Sequence, residues 1–206
     1  DHGVTVVHVV SSSRFARKCE EAGVDAVVAE GFEAGGHNGR EETTTMCLIP
    51  AVRGAVGLPL IAAGGIGTGR GMLAAMALGA EGVQIGTRFA LTEESSAHPD
   101  FKALGLDLAE GDTKLLLKKL SPTRLVKGAF RRAVEEAEDR GASPDELREL
   151  LGRGRAKLGM FEGNLTEGEL ELGQVASLFH CRQSVAEVMS EILAEYDDAL
   201  RSMAHY

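Results

Sequence analysis

The chain lacks several features that would assign it to a specialised class of protein. Tryptophan is absent, and aromatic residues make up only 4% of the 206 residues. The three cysteines are odd in number, lie far apart and form no CxxC pair, so the sequence indicates neither a disulfide framework nor a zinc site. We expect a cytoplasmic protein, because disulfides persist mainly in oxidising compartments.

Two further absences concern large partners. No run of about 18 apolar residues occurs, and no basic-then-apolar signal opens the sequence, so we expect no membrane partner. The net charge is −9, which argues against nucleic acid as the partner because phosphate backbones attract basic surfaces. A small-molecule substrate is the remaining expectation.

Glycine is abundant, with 26 residues, and it punctuates four apolar segments: 4–10, 25–29, 58–63 and 82–85. Helical segments separate them, which predicts an α/β protein with four parallel strands. Residues 21–27 and 77–83 resemble each other, and such a repeat favours a (β/α)8 barrel over an open sheet. A closed barrel needs about eight strands. We therefore expect the remaining strands in a preceding segment or in a complementing half-barrel chain, and a homodimer is the other assembly that we consider.

The second half of the sequence has a different character. Strand patterns almost vanish after residue 89, apart from a short extended segment at 121–127. Helices are predicted at 125–140, after the Ser143-Pro144 cap, and at 184–202. The predicted domains are the C-terminal half of a barrel at 1–102 and a mostly helical appendage at 103–206.

Two glycine-rich motifs follow consecutive predicted strands. They read AAGGIGTG at 62–69 and GVQIGTRF at 82–89. Glycines at the carboxyl ends of parallel strands let backbone amides approach a phosphate, and a following helix N-terminus adds its dipole. In barrels this site lies after the last two strands. The motifs therefore predict binding of a flavin nucleotide or of another ligand that carries a phosphate group. The alternative is that the glycines only form tight turns.

One histidine stands out by its surroundings. His37 lies in the segment AEGFEAGGHNG at 29–39, which follows the second predicted strand. Barrel enzymes place catalytic groups at such strand ends, and a histidine there could act as a general acid or base. It has no second histidine at ligand spacing, so we expect no metal. Alternatively, His37 is a surface residue in a flexible loop. Glu30 and Glu33 either orient a ligand or are solvated.

These motifs together resemble those of the nitronate monooxygenase family, which includes the FMN-dependent enoyl-acyl-carrier-protein reductase II. The resemblance rests on residues 29–39, 62–66 and 83–89, and on GNLTEGELELGQVA at 163–176. It implies a TIM barrel that carries non-covalent FMN. It also implies that His37 is catalytic and that the flavin is held by Glu30, Gly35, Gly36, Gly64, Gly65, Gln84, Ile85, Gly86 and Thr87.

The resemblance leaves two reactions open. One is oxidation of an alkyl nitronate to a carbonyl compound and nitrite with O2. The other is reduction of an enoyl thioester, with NAD(P)H as the reductant of FMN, and a glutamate at position 30 is typical of that branch. We expect the nitronate reaction because it represents the broader class. Two non-flavin alternatives are a non-catalytic partner subunit and a barrel that binds a phosphorylated metabolite.

Overall fold

The computed structural model describes residues 2–203, and residues 1 and 204–206, which lie at the ends of the two predicted domains, are outside the described residues. The described residues divide into two compact units. The first contains the residues up to Glu33, then Glu41–Ile85 and those from Ala186 onwards, and the second contains Ala34–Arg40 and Gly86–Val185. The predicted assignment of 1–102 to a half-barrel and 103–206 to an appendage stays a prediction.

Strands and helices alternate through the first half of the chain. The strands are β1 (Val7–Val10), β2 (Ala26–Glu30), β3 (Gly36–His37), β4 (Leu60–Ala63), β5 (Gly82–Gln84), β6 (Thr113–Leu116) and β7 (Thr123–Val126). The helices are α1 (Ser13–Glu21), α2 (Thr45–Arg53), α3 (Gly69–Ala77), α4 (Thr87–Ala90), α5 (Pro99–Leu106), α6 (Ala129–Asp139), α7 (Pro144–Leu151), α8 (Arg155–Met160) and α9 (Val185–Met203).

The first unit contains a parallel sheet with the strand order β1-β2-β4-β5. The four predicted parallel strands are thereby confirmed. Residues 26–29 of β2 are all buried, as expected for a strand with a neighbour on each side and a helix packed on the sheet. Apolar side chains of α2 (Leu48, Ile49, Val52) join Val27 and Leu60 in the core of this unit.

Helix α2 continues through Pro50 from Thr45 to Arg53. A proline inside a helix removes one backbone hydrogen bond and crowds the preceding turn. Burial of Leu48, Ile49 and Val52, each at most 2% exposed, offsets this cost. Tertiary packing therefore outweighs the local preference of the sequence.

The second unit contains an antiparallel sheet with the order β3-β7-β6. The extended segment predicted at 121–127 is confirmed as β7, but β6 (Thr113–Leu116) lies in a region where no strand was expected. The helix predicted from residue 125 begins only at Ala129, because Leu125 and Val126 pair with β6 instead. A short apolar run does not distinguish a buried strand from a buried helix.

Two helix predictions in the second half are confirmed. The Ser143 hydroxyl accepts a hydrogen bond from the Glu146 amide, and the Glu146 carboxylate accepts one from the Ser143 amide, so α7 begins with a capping box. Helix α9 (Val185–Met203) agrees with the helix predicted at 184–202 to within one residue at each end.

Candidate functional site

In the first unit, strand register brings two predicted site residues to one edge of the sheet. Glu30 pairs with Ala63, and Ala63 pairs with Gln84, so these residues occupy the carboxyl ends of three adjacent strands. The Glu30 side chain is half-buried, and burial raises the pKa of its carboxyl group.

The turn after β4 requires glycine for reasons of packing. Gly64 has a φ of +90°, and a Cβ there would lie 2.5 Å from the Gly31 carbonyl oxygen. Gly65 has a φ of +69°, and its Cβ would lie 3.1 Å from the Cβ of Glu33. The two loops that follow β2 and β4 therefore pack backbone against backbone. Contact of Gly64 and Gly65 with a flavin stays a prediction.

The N-terminus of α3, which follows this turn, is occupied by groups of the chain. The Thr68 hydroxyl accepts a hydrogen bond from the Gly71 amide at 3.0 Å, and the Glu195 carboxylate accepts one from the Gly69 amide at 2.7 Å. A Cβ on Gly69 would lie 2.2 Å from the backbone of α9. The carboxylate of Glu195 thus meets the positive end of the helix dipole.

Residues 84–87 form the most open of the predicted phosphate-binding segments. Gln84 and Gly86 are exposed, and a Cβ at Gly86 would meet no atom within 4 Å. Ile85 packs against the core of the first unit. In the second unit, the Thr87 hydroxyl accepts a hydrogen bond from the Gly173 amide at 2.9 Å. The backbone at Gly86 is therefore accessible to a ligand group.

His37 belongs to the second unit and is held on a short strand. It pairs with Thr123 of β7, and its side chain is exposed. The Asn38 amide group donates hydrogen bonds to the Ala34 and Gly36 carbonyl oxygens, both at 3.0 Å. The segment predicted as a loop is thus ordered by backbone pairing and by Asn38. An exposed imidazole on such a support can reach a small molecule.

Sequence reasoning missed Glu171, which lies beside this strand. Gly36 has a φ of +74°, and a Cβ there would lie 2.8 Å from Oε2 of Glu171. A Cβ at Gly35 would lie 2.5 Å from the Leu172 carbonyl carbon. The GELELGQ segment was recognised as part of a motif, but an acidic residue in a charged sequence carries no further signal. Flavin contacts by Gly35 and Gly36 stay predictions.

Burial shifts the protonation of two glutamates in this segment. Burial raises the pKa of Glu171, and the neighbouring charge of His37 lowers it. Burial and the charge of Glu171 raise the pKa of Glu169 to about 7, against a lowering effect of Arg155. The second unit therefore contains two half-buried or buried carboxyl groups with raised pKa values, of which Glu171 lies next to Gly36.

The described residues 2–203 contain no group of three or more His, Cys, Asp or Glu side chains placed to hold a metal ion. Over the same range, no helix combines the length and the apolar character needed to cross a membrane. The predicted site residues fall into the two units as follows. The first holds Glu30, Gly64, Gly65, Gln84 and Ile85, and the second holds Gly35, Gly36, His37, Gly86 and Thr87.

Comparison with known proteins identifies the family. The family model described as nitronate monooxygenase matches residues 1–195. The chain belongs to the nitronate monooxygenase family. Members of this family are flavin-dependent oxidoreductases. A probable nitronate monooxygenase of Bacillus subtilis is 33% identical to this chain over 202 residues. The alignment covers 94% of this chain and 58% of the relative.

Two solved structures extend the comparison of this nitronate monooxygenase family member. FabK from Thermotoga maritima has a TM-score of 0.92 and 40% identity, covering 99% of this chain and 64% of that one. Nitroalkane oxidase from Streptomyces ansochromogenes has a TM-score of 0.79 and 29% identity, covering 98% and 60%. Both are TIM-barrel enzymes, which confirms the predicted fold class. The chain spans about three fifths of the length of these relatives.

Proposed function

We propose that the protein containing this chain is an FMN-dependent oxidoreductase that oxidises alkyl nitronates to a carbonyl compound and nitrite with O2. The observation that carries the proposal is the exposed imidazole of His37 on a glycine-flanked strand, in a chain that matches the nitronate monooxygenase family model. The nitroalkane oxidase structure, with 29% identity, supports the same substrate class.

The open backbone at Gly86 fits a phosphate group, because nothing stands where its Cβ would be. The family resemblance implies that Gln84, Ile85 and Thr87 hold the phosphate end of FMN and that Gly64 and Gly65 also contact the flavin. Gly35 and Gly36 would lie near the isoalloxazine. When bound, FMN supplies the one- and two-electron chemistry that no side chain provides.

The residues of the chain would bind substrate and move protons. As a neutral imidazole, His37 would take a proton from the α-carbon of a nitroalkane, and as an imidazolium it would stabilise the anionic nitro group. The Glu30 carboxyl group, whose pKa is raised by burial, would form a hydrogen bond with the flavin. Both roles need only groups that the chain places at strand ends.

A second candidate is an NAD(P)H-dependent enoyl thioester reductase. The similarity to FabK, an enoyl-acyl-carrier-protein reductase, at 40% identity and a TM-score of 0.92 favours it. The glutamate at position 30 favours it too. In this reaction His37 would lie near the thioester carbonyl group or supply the proton.

Visible absorbance of the purified protein, recorded after FMN addition and desalting, tests the proposal. Retained flavin that is bleached by a nitronate without oxygen, followed by nitrite release in air, would support the nitronate reaction. Bleaching by NADH or NADPH with turnover of a crotonyl thioester would support the reductase instead. A folded protein that retains no flavin would contradict both and favour a non-catalytic partner subunit or a barrel for a phosphorylated metabolite.

A further inference from the structure

Two consecutive glycines precede His37, and other contacts must remove the backbone freedom that they bring. Gly36 has a φ of +74°, a conformation that side-chain-bearing residues rarely adopt. Strand β3 pairs with β7 only over Gly36 and His37, so backbone pairing fixes the end of the segment but not its beginning. The position of His37 therefore also depends on how the chain is held at Ala34.

The Ala34 carbonyl oxygen accepts two side-chain hydrogen bonds. Nε of Arg124, on β7, donates to it at 3.1 Å, and the side-chain nitrogen of Asn38 donates to it at 3.0 Å. A carbonyl oxygen has two lone pairs, so two donors use its full capacity. The same Asn38 nitrogen donates to the Gly36 carbonyl oxygen at 3.0 Å. One carbonyl group is thus held both from β7 and from the far end of its own segment.

Arg124 is itself fixed in one orientation. Its residue is 2% exposed, and a terminal nitrogen donates to the Thr113 hydroxyl of β6 at 3.3 Å. A guanidinium group keeps its charge when buried and presents its donors in fixed directions. Hydrogen bonds from a charged donor are also stronger than those from a neutral one. The Ala34 carbonyl group is therefore connected through one planar group to β6 and β7.

The other end of the segment is fixed beside β7 as well. The backbone amide of Asn38 donates to the Pro122 carbonyl oxygen at 2.7 Å. His37 thus lies between two attached residues, Ala34 and Asn38, while its own side chain is exposed. The backbone then sets the direction of the imidazole. Such control matters because displacing a reacting group by about 1 Å can reduce a rate by about 100-fold.

We propose that Arg124 and Asn38 are positioning residues for His37, and that their shared hold on the Ala34 carbonyl group fixes the direction in which the imidazole meets the substrate. This inference rests on the proposed function, in which His37 is the acid–base residue. In this role neither side chain needs to touch the substrate or the flavin. The sequence singled out neither as a site residue.

The first test uses Arg124→Lys, which keeps the positive charge but loses the planar group with its Nε donor. We expect kcat to fall at least about 10-fold, while KM and flavin retention change less than about 3-fold, because orientation is lost and binding is not. The assay uses the nitronate or crotonyl thioester that the unchanged protein turns over. Unchanged kcat would overturn the proposal.

Arg131→Lys is the matched control. Arg131 lies on α6 and, like Arg124, donates a hydrogen bond to a backbone carbonyl oxygen, that of Asp112 at 2.9 Å. It has no bond to the segment before His37 among those that hold Ala34. We expect its kcat and KM to equal those of the unchanged protein.

The second variant, Asn38→Ala, leaves the buried arginine in place. Backbone hydrogen exchange, followed by mass spectrometry, should become about 10-fold faster in residues 35–40 of either variant and stay unchanged in α6. This measurement needs no turnover. Faster exchange over the whole second unit would show a general loss of stability and would contradict a positioning role.

The double variant tests whether the two side chains act on one carbonyl group. We expect Arg124→Lys combined with Asn38→Ala to lower kcat little further than the more severe single variant, because either change already frees the same group. If the two reductions in kcat multiply, the side chains act independently and the shared hold is wrong.

The two proposals fail in different ways. If exchange becomes faster only in residues 35–40 but His37→Gln keeps full turnover, the hold on the segment stands and the catalytic role of His37 falls. If His37→Gln loses turnover while Arg124→Lys and Asn38→Ala keep it, the catalytic role stands and the positioning role falls.

Discussion

The Glu33 carboxylate accepts hydrogen bonds from the backbone amide of Thr45 at 3.0 and 3.1 Å and from its hydroxyl at 3.0 Å. These bonds join the loop after β2 to the first turn of α2. The side chain of the N-cap residue Thr44 makes no capping hydrogen bond. The carboxylate of Glu33, 12 residues before Thr45, accepts the amide hydrogen bond at this helix end instead. The Thr45 hydroxyl also lies 2.8 Å from the Gly64 carbonyl oxygen. Glu33 thus has a structural role, which the sequence did not distinguish from ligand binding or from exposure to solvent.

We expect Glu33→Ala to lower the free energy of unfolding by about 1 kcal/mol, because α2 loses both a cap and a negative charge at its N-terminus. Urea unfolding followed by circular dichroism measures the change. Glu41→Ala, a nearby exposed glutamate, is the control and should leave stability within about 0.5 kcal/mol. Equal stability of the two variants would contradict the capping role.

His37→Ala should leave flavin binding intact and reduce turnover at least about 100-fold, which is the usual effect of removing a positioned acid or base. Flavin absorbance after desalting and nitrite release or thioester reduction are the measurements. His180→Ala removes another exposed histidine and should retain full activity. Full activity of His37→Ala would show that His37 is a surface residue without a catalytic role.

Gly86→Val should expel FMN without unfolding the protein. Gly86 has φ −95° and ψ −68°, which a side chain tolerates, and a Cβ there meets no protein atom within 4 Å. The added side chain would instead occupy the space proposed for phosphate. Fluorescence titration with FMN measures the loss, and Gly86→Ala should weaken binding less. If the valine variant retains flavin absorbance after desalting, the FMN phosphate does not bind at Gly86.

Glu169 should make stability depend on pH. Its pKa is raised from 4.5 to about 7 in the folded protein, so the folded state binds more protons between these values than the unfolded state. Stability attributable to this group is therefore highest at low pH and is lost as the pH rises toward 7. Glu169→Gln should gain on the order of 1 kcal/mol relative to the unchanged protein above that pH.

Urea midpoints at about pH 5 and pH 8 would measure this difference. The direction of the change with pH distinguishes burial from ion pairing. If a salt bridge stabilised the carboxylate, the free energy of unfolding would decrease as the pH falls. A variant that is destabilised equally at both pH values would show that Glu169 contributes through packing alone.

The parts of the fold that were predictable share one property. Residues 26–29 and 60–63 of the strands are apolar and mostly buried, and glycines follow each strand; the capping box at Ser143 depends on four consecutive residues. Each of these features is determined by residues that are close together in the sequence. The strand at 113–116 was missed because its apolar run suits a helix equally well, and only pairing with β7 decides between them.

By itself, the sequence determined the parallel α/β order, the glycine turns at Gly64 and Gly65 and the family to which the chain belongs. These depend on residue type and spacing along the chain. The tertiary structure alone decided that Glu33 caps α2 and that Glu171 covers Gly36, each through a contact between distant segments. The physical reason is that a carboxylate has the same local preferences wherever it stands, whereas its burial and its partners exist only after the chain has folded.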